Sequence, residues 1–276
     1  MLLTDLVEQY CLERAASANY RSSLLRTVRR AQHGGIRTTC QLSVENVCRF
    51  LVSVDVGQTT KSNYRRELAT LWRYAFSLGL ATDGWDRLPR IPPQFAPPEA
   101  WSMEAMQKLL NAAELDKTPI STRCELRRCD VIPVWARLGY ESGLRFSDIH
   151  QLTQRNFRDG CVIRYAAKTS KLCVRELTLE TQQSVARLFA LSPDGTLFRW
   201  FLPRRRAFLL WRKFLDQHAL GGSSKWLRRT AATFIEIDKP GMASRWLDHS
   251  SERLARTHYI DPTKVVSGIK PPLLPR

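Results

Sequence analysis

A mainly α-helical protein carrying one small β-hairpin or sheet, divided into two domains, is the architecture this sequence predicts. Three observations lead there. Apolar residues recur at helical spacing through almost the whole chain, β-prone residues gather in a single segment, and five prolines cluster in one short stretch. The chain is 276 residues long with 43% hydrophobic residues, enough for a real core in one or two domains.

In the first part, helices are expected at about 3–14 and 43–54, the latter with Ser43 as its N-cap. Two further helices show buried faces through Tyr20, Leu24, Leu25, Val28 and Ala31, and through Tyr64, Leu68, Leu71, Trp72, Ala75 and Leu78. The stretch 88–100, with Pro89, Pro92, Pro93, Pro97 and Pro98, can continue neither a helix nor a central strand. It is read as a linker between a helical domain at 1–87 and a second domain at 101–276. Beyond it, Ser102 caps a helix at 103–115, and a longer helical stretch is expected at roughly 121–141, interrupted near Pro133. The segment CVIRYAAKTSKLCVREL at 161–177 reads as a hairpin. Helical patterns resume at about 180–190, 203–217, 224–237, 240–247 and 251–259.

Lysine and arginine number 43 against 26 acidic residues, a formal charge of +17. Such a charge repels itself in the folded state and attracts polyanions, so nucleic acid is the expected partner. Residues 1–90 carry +5 and the remainder +12, so both domains could touch the same polyanion. Arg21, Arg29, Lys61 and Arg65 fall mostly off the apolar helix faces and suit phosphate contacts; Lys171, Arg204 and Arg205 are candidates in the second domain. No apolar run approaches a membrane span, and Asp5 and Glu8 stand where a secretory signal would be basic and then apolar, so a cytoplasmic protein is expected. The seven cysteines lack zinc-binding spacing and read as reduced thiols.

Four segments become informative together: YESGLRFSDI at 140–149, AKTSK at 167–171, KWLRRTAAT at 225–233 and WLDHSSERLARTHYI at 246–260. In this order and spacing they resemble the catalytic segments of the tyrosine recombinase, or phage integrase, family, over about 99–262. The helical first domain is similar to that family's core-binding domain, without a specific motif. The resemblance implies that Arg145 in SGLRFSD is the first catalytic arginine, supported by Asp148. It makes Lys168 the catalytic lysine on the hairpin, with Lys171 as a substitute, and Arg228 the second arginine. His249 matches the histidine of the family's LGH segment, and Tyr259 the nucleophile. Lys225 stands where the HxLRH segment usually begins with His, Arg229 replaces its second His, and Asp248 takes the place of a glycine. Lys225 keeps a cation in the site but cannot act as a neutral imidazole base.

The chemistry fits these residue types. A phosphodiester in its pentacoordinate state gathers negative charge on its non-bridging oxygens, and two guanidiniums offer forked, permanently charged donors. A tyrosine with an ordinary pKa of ~10 needs nearby cations or a base to attack. Lys168 would protonate the departing 5′-hydroxyl, so no metal or other cofactor is called for. The resemblance implies a site-specific recombinase acting on double-stranded DNA through a 3′-phosphotyrosine, as a homo-tetramer on two duplexes, with accessory DNA-bending proteins as further partners. The tail at 267–276 would pack on a neighbouring protomer or fray. Two readings of the same fold stay open, a cleavage-deficient DNA-binding protein and a topoisomerase-like relaxing enzyme. A helix-turn-helix regulator would explain the charge but not the joint presence of the site residues.

Overall fold

The computed structural model describes residues 1–121, 124–165, 171–248 and 251–265. The chain divides into two compact units, Met1–Ala96 and Pro97–Arg276, so the boundary falls inside the proline-rich stretch.

The first unit is built from four helices, α1 (Leu3–Glu13), α2 (Ala18–His33), α3 (Val44–Ser53) and α4 (Gln58–Ser77). Ser17 and Ser43 cap α2 and α3, each Oγ accepting from the backbone N–H three residues on, which satisfies a donor the helix itself cannot. Leu24, Val28 and Ala31 of α2 pack with Phe50 of α3 and with Leu68, Leu71, Trp72 and Ala75 of α4, all of them at most 1% exposed. One carboxylate enters this core: Glu67 of α4 accepts from Ser23 Oγ at 2.8 Å and from Thr27 Oγ1. The prolines at 89–93 lack donors, and α4 supplies donors to the carbonyls along this run. Arg65 reaches Leu88 O at 2.8 Å and Pro89 O at 3.1 Å, Gln58 reaches Pro92 O, and Thr59 reaches Gln94 O.

In the second unit α5 (Met103–Leu115) is capped by Ser102 and followed by a two-stranded antiparallel pair, β1 (Pro119–Ser121) and β2 (Cys124–Arg127). Helix α6 (Arg128–Ser142) therefore starts seven residues later than the helical stretch expected from 121, because β1 and β2 pair with each other instead. Asp130 fixes that start by accepting from the Arg127 N–H at 2.7 Å. Nor does Pro133 interrupt the helix. Its ring is buried in the run Val131–Ala136, and packing offsets the backbone bond that its missing N–H would have made.

Helix α7 (Phe146–His150) follows after a sharp turn, then a three-stranded antiparallel sheet in the order β3 (Phe157–Arg158), β4 (Cys161–Tyr165), β5 (Leu172–Glu176). The hairpin expected at 161–177 is its β4–β5 pair, with Val162 opposite Arg175 and Arg164 opposite Cys173. The remaining elements are α8 (Leu179–Ala190), α9 (Arg204–Gln217), α10 (Lys225–Asp238), α11 (Met242–Trp246), α12 (Glu252–His258) and α13 (Pro262–Val265). Trp135, Phe198, Trp211 and Phe214 join one core with α6, so most aromatics of the basic segment at 198–214 serve packing, while Phe208 is exposed. Among the described residues no helix is long and apolar enough to cross a membrane.

Helix α10 is the axis of the second unit. Thr230 Oγ1 accepts from the Trp101 N–H at 3.0 Å, and Thr233 Oγ1 accepts from the Asp261 N–H at 2.9 Å. Asp261, itself buried, accepts from the Ala100 N–H at 3.0 Å and from the Thr263 N–H and hydroxyl. Burial pushes its carboxyl up, but the hydrogen bonds from Thr263 and Ala100 outweigh burial and hold it below the ordinary aspartate value of 3.8. A group depressed on folding contributes stability that is present above its unfolded pKa and lost as pH falls through the folded value. Asp261→Ala should therefore lower unfolding stability near neutral pH by about 1–3 kcal/mol, through the unpaired Ala100 N–H. The gap between the two proteins in chemical denaturation should narrow as pH falls below 3.8.

Candidate active site

The turn between α6 and α7 begins the site. Gly143 ends α6 in the left-handed region at φ +60°, where a side chain is strained, and a Cβ there would lie 2.4 Å from the indole of Trp246. Arg145 is the N-cap residue of α7, and its side chain is about a quarter exposed at 26%. Asp148, one turn on and buried, faces Arg145 at 3.9 Å and Arg164 of β4 at 3.8 Å. The carboxylate thus stands between an arginine from the turn and one from the sheet.

Arg228 comes from the first turn of α10 and is buried. Its guanidinium donates to Gly143 O and, at 3.0 Å, to Leu247 O in the turn after α11. The Tyr259 ring lies against it, 5.1 Å from guanidinium carbon to ring centroid. Burial pushes the Arg228 pKa down to about 10; the tyrosine acts against that shift and the neighbouring Arg145 charge adds to it. Arg228 is still a cation at neutral pH, and Arg145 is close enough to act on it.

Tyr259 terminates α12, its N–H bonded to Ala255 O at 2.9 Å. Three contacts tie this end of the helix to α10. Arg229 Nε donates to His258 O at 3.1 Å, Arg256 pairs with the buried Glu236 at 3.3 Å, and Asp261 is held by Thr233. Arg229, at the position of the second histidine in HxLRH, is thereby committed to a backbone carbonyl at the end of the tyrosine helix.

The turn at 246–248 forms the opposite wall. Asp248 adopts φ +56°, the left-handed conformation that glycine enters freely. Its carboxylate accepts from Arg175 of β5 at 3.0 Å, Arg175 also donates to Trp246 O and lies over the Trp246 ring at 5.5 Å, and Lys171 Nζ donates to Asp248 O at 3.1 Å.

The structure thus brings Arg145, Asp148, Arg228 and Tyr259 together, with Lys225 exposed at the start of α10, one turn before Arg228. Lys168, His249 and the tail at 267–276 lie outside the described residues. Of the outlying candidates, Arg204 and Arg205 are exposed in the first turn of α9, Arg29 is exposed on α2 beside Arg26 and Arg30, and Lys61 is half-buried on α4. Arg21 is taken by a two-bond pair with Glu8, both at 2.7 Å, and Arg65 by the carbonyls of Leu88 and Pro89. Among the described residues no group of three His, Cys, Asp or Glu side chains could hold a metal ion. Sequence reasoning missed Gly143, Arg164, Arg175, Glu236 and Asp261. Gly143 alone among the missed positions carried a local signal, a glycine directly after a helical run.

No protein-family model matches the sequence, and no curated protein matches it. Solved structures do. A lambda integrase dimer bound to a COC′ core site superposes with a TM-score of 0.73 at 16% identity, covering 95% of this chain and 96% of that one. A lambda integrase tetramer bound to a Holliday junction gives 0.68 at 15%, covering 91% and 78%. The Tn1549 transposon integrase in complex with a circular intermediate DNA gives 0.69 at 12%, covering 94% and 95%. This chain therefore has the fold of these integrases, as the resemblance of its four segments led one to expect.

Gly143→Ala should cost about 2–5 kcal/mol, from a left-handed alanine and an overpacked Trp246 together. Denaturant unfolding of the two proteins measures it, and a loss below about 1 kcal/mol would mean that Trp246 yields freely.

Proposed function

We propose that this chain is a tyrosine-type site-specific DNA recombinase, which cleaves and rejoins double-stranded DNA through a covalent 3′-phosphotyrosine on Tyr259. The observation that carries the proposal is the tyrosine ring set against a buried arginine whose charge is also felt by a second, partly exposed arginine. The DNA-bound integrases of the same fold support it.

On this reading the scissile phosphate sits between Arg145 and Arg228, whose donors meet the charge that grows on its non-bridging oxygens. Arg228 is positioned in advance, since Gly143 O and Leu247 O hold its fork and burial keeps water from competing. Asp148 does the same for Arg145 through their ion pair. The Tyr259 oxygen attacks phosphorus, the bond to the 5′ oxygen breaks, and the phosphodiester energy is kept in the phosphotyrosine. Rejoining then needs no nucleotide cofactor. Lys225, exposed beside Arg228, adds a cation facing solvent where DNA would enter. Lys168 as general acid and His249 as a further phosphate ligand complete the site. The protein acts as a tetramer on two duplexes, with the exposed Arg204, Arg205 and Arg29 on phosphates away from the reacting one.

Covalent trapping tests the reading. The protein is incubated with a pool of nicked duplexes randomised on both sides of the nick, and denaturation-resistant protein–DNA adducts are collected and sequenced. Wild type should give adducts sharing a common site, and Tyr259→Phe should give none while still retaining DNA on a filter. Arg228→Ala should slow adduct formation by about 10²–10³-fold, the usual loss when one preorganised donor is removed. Binding without any adduct from wild type would leave the cleavage-deficient DNA-binding protein as the function.

A further inference from the structure

We infer that Arg175 is a positioning residue of this site: paired with Asp248, it holds the turn at 246–248 that fixes Arg228, and it cancels a carboxylate that would otherwise face the incoming phosphate. This rests on the recombinase reading above.

The need arises at Asp248. A non-glycine residue at φ +56° pays a conformational cost, and an aspartate adds a negative charge two residues from the Trp246 carbonyl and directly after Leu247, whose carbonyl holds Arg228. Left unpaired, that carboxylate would repel a DNA phosphate and compete for the arginines meant for it.

Arg175 answers both problems from strand β5. Its Nη2 donates to Trp246 O and to Asp248 Oδ2, the latter at 3.0 Å, while Nη1 donates to Val174 O at 2.7 Å. Its planar face covers the Trp246 indole, and the side chain is only 15% exposed. That indole in turn fills the space beside Gly143, the other residue whose carbonyl holds Arg228. Both of these carbonyls thus rest on the turn that Arg175 fastens to the sheet. Lys171, from the same hairpin, fastens the turn's last carbonyl as well. Lysine could supply the charge at 175 but not a fork that reaches a carbonyl and a carboxylate at once.

The test is a double-mutant cycle of wild type, Arg175→Met, Asp248→Gly and the double variant, read on single-turnover adduct formation from the randomised nicked pool and on thermal melting. With Asp248 in place, Arg175→Met should slow adduct formation about tenfold or more, the half-saturating DNA concentration moving less than about threefold. In the Asp248→Gly background, where there is neither strain nor stray charge, the same substitution should cost less than about threefold. Should Arg175→Met prove insoluble, Arg175→Gln, which likewise removes both the charge and the fork, takes its place and is read in the same way. Equal losses in both backgrounds, or coupling in melting with none in the rate, would overturn the positioning role. No adduct from wild type would remove the recombinase reading itself, and this role with it.

Discussion

A buried arginine cation is the constraint around which the second unit is arranged. Taking the Arg228 guanidinium out of water carries a desolvation penalty of several kcal/mol, and it is tolerated only where hydrogen bonds replace the lost water. Two backbone carbonyls, from Gly143 and Leu247, take donors of its fork. Carbonyl dipoles hold the group without cancelling its charge, which stays available to a ligand. Each carbonyl can point inward only because its turn has an unusual backbone, left-handed at Gly143 and again at Asp248, the residue after Leu247. The shape of the site thus follows from where one desolvated charge finds acceptors.

The tyrosine depends on the same helix. Tyr259 sits at the end of a seven-residue helix that could not hold a position alone. Its neighbours do so instead, with Arg229 on His258 O, Arg256 on Glu236 and Asp261 on Thr233 and Ala100. All of these except Ala100 lead back to α10 or to the tyrosine segment, so Tyr259 and the arginine it faces are referenced to one rigid element. Such sharing keeps their separation from drifting, as the proposed attack on phosphorus would require.

Local patterns made much of this legible. The spacing of Leu24, Val28 and Ala31, or of Leu68, Leu71 and Trp72, marked helix faces that the structure buries, and serine caps marked helix starts. Arg145, Arg228 and Tyr259 stood out through the resemblance of their segments to a known family, not through periodicity or composition. Where partners are distant in the chain, the signal vanished. Nothing local shows that Arg175 meets Asp248 across 73 residues, or that Arg65 serves the carbonyls of Leu88 and Pro89. Charge patterning likewise could not tell Arg21, bound to Glu8, from Arg29, which is exposed. Strand β2 formed where a helix was expected from about 121, and Pro133, read as a break, was absorbed because its ring packs in the core.

The departures from the HxLRH and LGH patterns then separate into two kinds. Arg229 and Asp248 are both held structurally, the first by a backbone carbonyl at the end of the tyrosine helix and the second by Arg175, whose charge offsets the carboxylate. Lys225 is different, because it is exposed one turn before Arg228 and keeps its ammonium in solvent. An ammonium donates hydrogen bonds and accepts none, so it can stabilise charge on phosphate but cannot take the tyrosine's proton. On the proposed reading, electrostatic stabilisation is thus kept at 225 while proton transfer is given up there. The deprotonation of Tyr259 then falls, on that reading, to water or to a group other than residue 225, under the influence of the Arg228 cation that its ring lies against.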